Sequence, residues 1–219
     1  MVYTNSLLIP YSIVSISSLI CVLSGCRLLH PKQPLYVILS YLGFIAFFLG
    51  RVYELSRLFL DLELYNTFDL GFVGIIGAFS FWLSSNSSIT LKGNKKAKKK
   101  DVVKCVLASF SVFSIYFLIL SGTVSRLERV IDFTVTVFSA ASVYFCLRLL
   151  LLRKEDDTNA LNDLKMFNIG GVCFSMLIEL LALAFAFDIN SLIFGTSVLL
   201  SIDLIFMLIA LKKTAEEWK

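Results

Sequence analysis

Long apolar stretches separated by short polar segments dominate the pattern of the chain. Seven such stretches run at approximately residues 7–28, 35–59, 69–85, 102–122, 130–152, 166–187 and 191–211. A helix of about 20 residues, rising about 1.5 Å per residue, crosses a hydrocarbon core about 30 Å thick. The pattern therefore predicts seven transmembrane helices, of which the third is the shortest.

Composition leads to the same class of protein. Of the 219 residues, 58% are hydrophobic and 16% are charged, whereas a soluble domain has about 25% charged residues. A chain of this kind has too little polar surface to cover a globule in water. We therefore expect an all-α integral membrane protein whose seven-transmembrane-helix bundle forms one domain over residues 1–219.

The basic residues are divided unevenly between the two ends of the predicted helices. If the N-terminus lies outside, 16 of the 20 lysines and arginines fall on the cytoplasmic side. Because cytoplasmic segments are enriched in Lys and Arg, this places the N-terminus outside and the C-terminus in the cytoplasm. The composition is compatible with a bacterial cytoplasmic (inner) membrane.

Four charged residues lie within or at the end of apolar stretches: Arg51, Glu54, Glu179 and Asp203. Arg51 and Glu54 are three residues apart on one side of the second helix, so they can form an ion pair. Glu179 and Asp203 lie near the middles of the sixth and seventh helices, where a charge costs about 2.5–3.5 kcal/mol. Both should therefore face the bundle interior and meet each other, Arg51 or water.

These charges have a functional and a structural interpretation. In the first, they line a polar, outward-facing cavity between helices two, six and seven, where Arg51 holds an anion and Glu179 and Asp203 bind a cation or carry a proton. In the second, an internal ion pair fixes the helix register. The first predicts a protein that binds or transports a small solute or ion. The alternative is a seven-helix sensor or scaffold subunit that acts through a separate cytoplasmic partner.

Catalytic and metal-binding patterns are sparse. His30 is the only histidine, and the five cysteines form no CxxC pair. This excludes bis-histidine haem, HExxH zinc chemistry and Ser-His or Cys-His catalysis. We expect no enzyme activity, no catalytic residue, no metal and no cofactor; an intramembrane Ser-Asp or carboxylate enzyme is the least favoured alternative.

Two further segments suggest contacts. The sequence KGNKKAKKK at residues 92–100, in the lysine-rich loop 92–104, is typical of a topology anchor, and it predicts contact with anionic lipid or a cytoplasmic partner rather than nucleic acid. The residues concerned are Lys95, Lys96, Lys98, Lys99 and Lys100. Gly71, Gly74 and Gly77 form a small-residue strip on the third helix, which favours close helix packing or a homo-oligomer.

Overall fold

The computed structural model describes residues 2–60, 70–92, 99–122, 126–152 and 159–217, and these residues form a bundle of seven α-helices. The helices are α1 (Val2–Gly25), α2 (Leu35–Phe59), α3 (Leu70–Lys92), α4 (Lys99–Gly122), α5 (Arg126–Leu152), α6 (Asn159–Ala186) and α7 (Asn190–Glu217). A short 3₁₀ turn, Cys26–Leu29, follows α1. The predicted all-helical fold is confirmed.

Within the described residues, six helices are long and apolar enough to cross a membrane: α1, α2, α4, α5, α6 and α7. This supports an integral membrane location. Helix α3, whose side chains are described over residues 71–87 only, is not among them.

Six helices form a closed ring around the core. Each packs on the next in the order α1, α2, α3, α5, α6 and α7, and α7 returns to α1. Helix α4 lies outside this ring, against α5 and α6. Its outer face is apolar, as a lipid-facing surface requires; the exposed side chains are Val103, Val106, Leu107, Phe110, Phe117 and Leu118.

Basic residues of the described helices gather at one end of the bundle, which we call the lysine-rich end. There Tyr36, near the start of α2, packs against Leu149 near the end of α5 and Leu164 near the start of α6. The basic residues at this end include Arg27, Lys32, Lys99, Lys100, Lys104, Arg148, Lys165, Lys212 and Lys213.

The opposite end holds the tight connection between α6 and α7, and we call it the Asp188 end. Asp188 has a φ of 59°, and the Ile189 N–H donates to the Ala184 carbonyl at 3.0 Å. A left-handed residue followed by such a bond is a common way to close a helix C-terminus. The turn lets α7 begin at Asn190 and pack antiparallel to α6.

Candidate functional site

The ion pair that residue spacing predicts on α2 is present. The Arg51 guanidinium contacts the Glu54 carboxylate through two nitrogens, at 2.7 Å (Nη1–Oε2) and 2.9 Å (Nη2–Oε1). Both residues are buried, with 3% and 5% of their surface exposed. The rings of Tyr11 and Phe47 lie 5.9 and 5.2 Å from the guanidinium carbon, within cation–π range. Because the pairing is bidentate, the two charges form a compensated, enclosed unit.

Helix α3 makes room for this pair. A Cβ at Gly71 would overlap the Glu54 carboxylate, and a Cβ at Gly74 would lie 2.8 Å from the Ala46 carbonyl oxygen. A Cβ at Gly50, on α2, would lie 2.8 Å from the Gly71 carbonyl oxygen. Glycine at these positions therefore lets the two backbones approach closely.

The small-residue strip of α3 thus faces α2 of the same chain. The third member, Gly77, also points toward α2, since a Cβ there would lie 3.3 Å from the Ala46 side chain. This geometry supports the packing interpretation of Gly71, Gly74 and Gly77. A homo-oligomer through the strip stays a prediction.

Glu179 lies at the contact between α5 and α6 and is 1% exposed. The Thr136 hydroxyl of α5 donates to Glu179 Oε2 at 3.1 Å. The second carboxylate oxygen, Oε1, has no hydrogen-bond partner among the described residues. The charged group of α5 that acts on Glu179 is Asp132, which is also acidic. This carboxylate is therefore enclosed without a compensating base in the described part of the chain.

Asp203 lies at the contact between α7 and α6 and is 8% exposed. Its Oδ1 lies 3.4 Å from the position of a Cβ on Gly170, so the carboxylate faces α6 across a glycine. Its Oδ2 has no hydrogen-bond partner within the described ranges. Asp203 is thus a second buried acid without a basic partner there.

The structure does not bring the four predicted site residues into one cluster. Asp203 lies beside Gly170 of α6. Glu179 is nine residues further along the same helix, so the two acids are separated by about 13 Å along its axis. Asp203 lies toward the lysine-rich end, and Glu179 lies toward the Asp188 end, as the Arg51–Glu54 pair does. The expectation that Glu179 and Asp203 meet each other or Arg51 is not met among the described contacts.

Aromatic side chains fill the centre of the ring between these levels. The Phe174 ring of α6 lies 4.7 Å from Trp82, 5.2 Å from Phe47 and 5.6 Å from Phe79, centroid to centroid, in edge-on geometry. All four side chains are fully buried. The Trp82 indole N–H donates to the Ser40 carbonyl at 2.9 Å. This cluster closes the middle of the bundle.

Sequence reasoning missed the polar side chains that line the α5–α6 contact. Thr136, Ser139 and Ser142 recur at every third position of α5 and are buried. Ser175 of α6 faces them, and the Ser139 hydroxyl donates to its carbonyl at 3.1 Å. Two sequence features could have indicated this contact. Thr136, Ser139 and Ser142 are spaced three residues apart, so they share one face of α5, and Ser175 lies one turn from Glu179 on α6.

The lysine-rich loop is described only in part. Lys95, Lys96 and Lys98 lie outside the described residues. Lys99 and Lys100 are exposed at the start of α4, and Lys104 lies 3.6 Å from Asp101 one turn later. Within the described ranges, no group of three or more His, Cys, Asp or Glu side chains could hold a metal ion.

Comparison of the chain with protein-family models, with curated protein sequences and with solved structures gave no match.

Proposed function

We propose that this chain is a seven-span membrane protein that binds or transports a small solute or ion, specifically a cation or a proton, at Glu179 and Asp203. The observation that carries the proposal is an imbalance between buried acids and bases. Arg51 is matched by Glu54, whereas Glu179 and Asp203 have no basic partner among the described residues. An ionised carboxylate enclosed without a partner is costly, so each of these groups should hold a proton or a cation.

Arg51 and Glu54 have a different role in this proposal. Because Glu54 occupies the guanidinium in a bidentate pair, Arg51 is not available as the principal site for an anion. The pair lies at the level of Glu179, near the Asp188 end, and the rings of Tyr11 and Phe47 enclose it. It fixes α2 and shapes the approach to the acids, which favours cations over anions.

The contacts of α3 support a seventh span. Helix α3 follows α2 from the Glu54–Gly71 contact, through the Gly50–Gly74 contact, to the lysine-rich end. At that end the Ser40 and Ser85 hydroxyls lie 2.8 Å apart. Helix α2 is apolar enough to cross the membrane, and the packing of α3 along it supports α3 as the seventh span.

The aromatic cluster around Phe174 bears on how transport would occur. It lies between the level of Glu179 and that of Asp203, and its rings are fully buried. An ion passing from one acid to the other along the centre would have to displace these rings. The conformation described here therefore fits a closed state, with movement of α6 against α2 and α3 as the opening step.

The distribution of basic residues supports the proposed orientation. The lysine-rich end faces the cytoplasm, and Lys99 and Lys100 are exposed there to contact anionic lipid or a cytoplasmic partner. A bacterial cytoplasmic membrane and the lack of enzyme activity remain predictions from composition.

Ligand-dependent thermal stability tests the proposal. The purified protein in detergent is heated with Li⁺, Na⁺, K⁺ and Ca²⁺ salts at constant ionic strength, and over a pH series. A cation at 100 times its Kd adds about 2.7 kcal/mol of stability. We expect a shift in Tm that disappears in Glu179→Gln or Asp203→Asn and persists in Glu216→Gln, a matched change at an exposed acid.

Carbodiimide labelling provides a second readout at the residues themselves. Dicyclohexylcarbodiimide enters apolar sites and modifies carboxyl groups that carry a proton. Mass mapping should find label on Glu179 and Asp203, reduced by the cation that raises Tm, and none on the paired Glu54. If neither acid is labelled and neither neutral variant changes any shift in Tm, the proposal is wrong.

A further inference from the structure

A set of buried polar side chains lies along the contact of α5 with α6 and reaches α3. We call it the polar column; its members are Thr136, Ser139, Ser142 and Cys146 of α5, Asn168, Ser175 and Glu179 of α6, and Asn86 of α3. Each of these side chains is almost fully buried. On α5 they lie at steps of three, three and four residues, so they form one face of the helix.

Polar side chains of α5 contact polar groups of α6 at successive turns. At the Asp188 end, the Thr136 hydroxyl donates to the Glu179 carboxylate. One turn further, the Ser139 hydroxyl bonds the Ser175 carbonyl at 3.1 Å, while also lying beside the Glu179 carboxylate. From Thr136 to Cys146 the column covers ten residues of α5, or about 15 Å, which is half of a hydrocarbon core about 30 Å thick.

The lower levels of the column lie closer to the lysine-rich end. The Cys146 sulfur packs on Gly171, where a Cβ would lie 2.9 Å away. The Asn86 amide donates to Cys146 Sγ at 3.4 Å, and the Ser142 hydroxyl lies beside the same thiol. Asn168 donates to its own helix at the Leu164 carbonyl at 2.9 Å.

Two atoms at opposite ends of the column have an unused hydrogen-bonding site. Glu179 Oε1 and Asn168 Oδ1 have no partner within the described part of the chain, although each residue is 1% exposed. Buried polar atoms are nearly always hydrogen-bonded. Such atoms at both ends of a polar file are suited to a mobile ligand that bonds and leaves, such as a proton with the water that carries it.

From this geometry we infer that the polar column conducts protons between Glu179 and the lysine-rich end. The inference rests on the proposed function, because Glu179 is the group that the column serves. A hydroxyl both donates and accepts, so it can take a proton on one side and release its own on the other, unchanged overall. A proton that arrives from the lysine-rich end is finally held on a Glu179 carboxylate oxygen.

A proton suits this column better than a metal cation. A hard cation such as Ca²⁺ takes six to eight oxygen ligands around one point. The column instead offers one or two polar groups at each level, spread over several turns. The charged group that acts on Glu179 from a packed helix, among the described residues, is Asp132 of α5.

Proton uptake by proteoliposomes tests the column. The protein is reconstituted with an internal pH-sensitive dye, and a K⁺ diffusion potential set with valinomycin drives protons inward. Thr136→Val removes the hydroxyl that bonds Glu179 while keeping the side-chain shape, and Ser142→Ala breaks the column lower down. We expect each to slow uptake at least about tenfold, equivalent to about 1.4 kcal/mol in a barrier.

A matched variant separates the hydroxyl from general effects. Thr134→Val makes the same change two residues away, where the hydroxyl bonds its own helix at the Val130 carbonyl at 2.8 Å. This variant should retain the uptake rate of the unmodified protein. Tm and elution volume in detergent show that each variant is folded before it is compared.

The outcomes distinguish the column from the function on which it rests. Normal uptake by Thr136→Val and Ser142→Ala, with uptake lost in Glu179→Gln, would reject the column and keep Glu179 as the carrier. No uptake by the unmodified protein, with a Na⁺ or K⁺ shift in Tm that Glu179→Gln abolishes, would reject protons and keep a cation site. If Glu179→Gln and Asp203→Asn change neither uptake nor any shift in Tm, the proposed function fails and the column fails with it.

Discussion

The carboxylate of Glu54 on helix α2 lies against Gly71 on helix α3, in the space that a Cβ at residue 71 would occupy. Glu54 is at the same time held by Arg51 one turn earlier on its own helix. The distance between the two helices and the geometry of the ion pair are therefore set by the same contact. A methyl group at residue 71 would have to move either the helices or the carboxylate.

We expect Gly71→Ala to lower stability. The new methyl group would meet the Glu54 carboxylate, which is buried and cannot turn to water, so overpacking should cost about 1–3 kcal/mol. Thermal unfolding of the purified protein in detergent, followed by circular dichroism, measures the fall in Tm. Gly74→Ala should act in the same direction, because its Cβ would press on the Ala46 carbonyl.

Gly195→Ala is the matched control for these glycine variants. Gly195 lies inside α7, and a Cβ there would meet no atom within 4 Å. Replacing a helix-interior glycine by alanine should then raise stability by up to about 1 kcal/mol. Equal Tm values for the Gly71 and Gly195 variants would mean that α2 and α3 are further apart than described here.

Neutralising one member of the ion pair should be costly. Glu54→Gln keeps the shape of the side chain but leaves the buried Arg51 charge without its carboxylate, and breaking a buried pair from one side costs about 3–5 kcal/mol. Arg51→Met combined with Glu54→Gln removes both charges and should recover much of that loss. A double-mutant cycle on Tm and urea unfolding measures the coupling. Additive losses would show that the two side chains do not interact.

The same change at Glu179 should have the opposite effect on stability. Glu179 receives one hydrogen bond from Thr136 and has no basic partner in the described chain. Glu179→Gln therefore removes the cost of burying a charge, and it leaves no buried base without its partner. We expect Glu179→Gln and Asp203→Asn to hold or raise Tm while abolishing the ligand-dependent shift. A fall in Tm as large as that of Glu54→Gln would indicate a hidden basic partner and a structural role.

Helix boundaries could be predicted where the sequence marks them. Helix α2 spans Leu35–Phe59 as expected, because Pro34 stands at its N-cap and a charged segment follows its end. Helix α3 continues to Lys92 instead of stopping near residue 85. Hydropathy missed its last turns because Ser85 and Asn86 are polar yet buried, bonded to Tyr36 and Cys146. The hydropathy of a sequence segment indicates whether it can face lipid. It does not indicate polar contacts between helices.

The site could be predicted only where its parts are close in sequence. Arg51 and Glu54 are one turn apart, so their spacing on a helix was enough to predict the pair. The surroundings of Glu179 and Asp203 depend on which face of α6 meets α5 and which meets α7. Nothing in the sequence near Asp203 indicates that its carboxylate faces Gly170. Partners on different helices are fixed by packing, and a single sequence does not contain that information.

Two exposed positions at opposite ends of the bundle test the orientation. Cys26 is exposed in the 3₁₀ turn at the lysine-rich end, and Asn190 is exposed at the start of α7 at the Asp188 end. Basic residues favour the cytoplasmic side, so a membrane-impermeant maleimide should label Asn190→Cys in intact cells and Cys26 only after permeabilisation. Cys26 is tested in a protein from which the other four native cysteines have been removed. Asn190→Cys is tested in a protein that lacks those four and also carries Cys26→Ser.

Labelling in detergent controls for reactivity, since both single cysteines should then react to the same extent. The reverse pattern in intact cells would invert the bundle, and the polar column would then lead from Glu179 toward the outside rather than the cytoplasm. Labelling of both positions from one side would place an even number of crossings between residues 26 and 190. Five helices, α2 to α6, lie between the two residues, so an even number of crossings would mean that α3 does not cross the membrane. The same pair of cysteines therefore decides both the orientation and the seventh span.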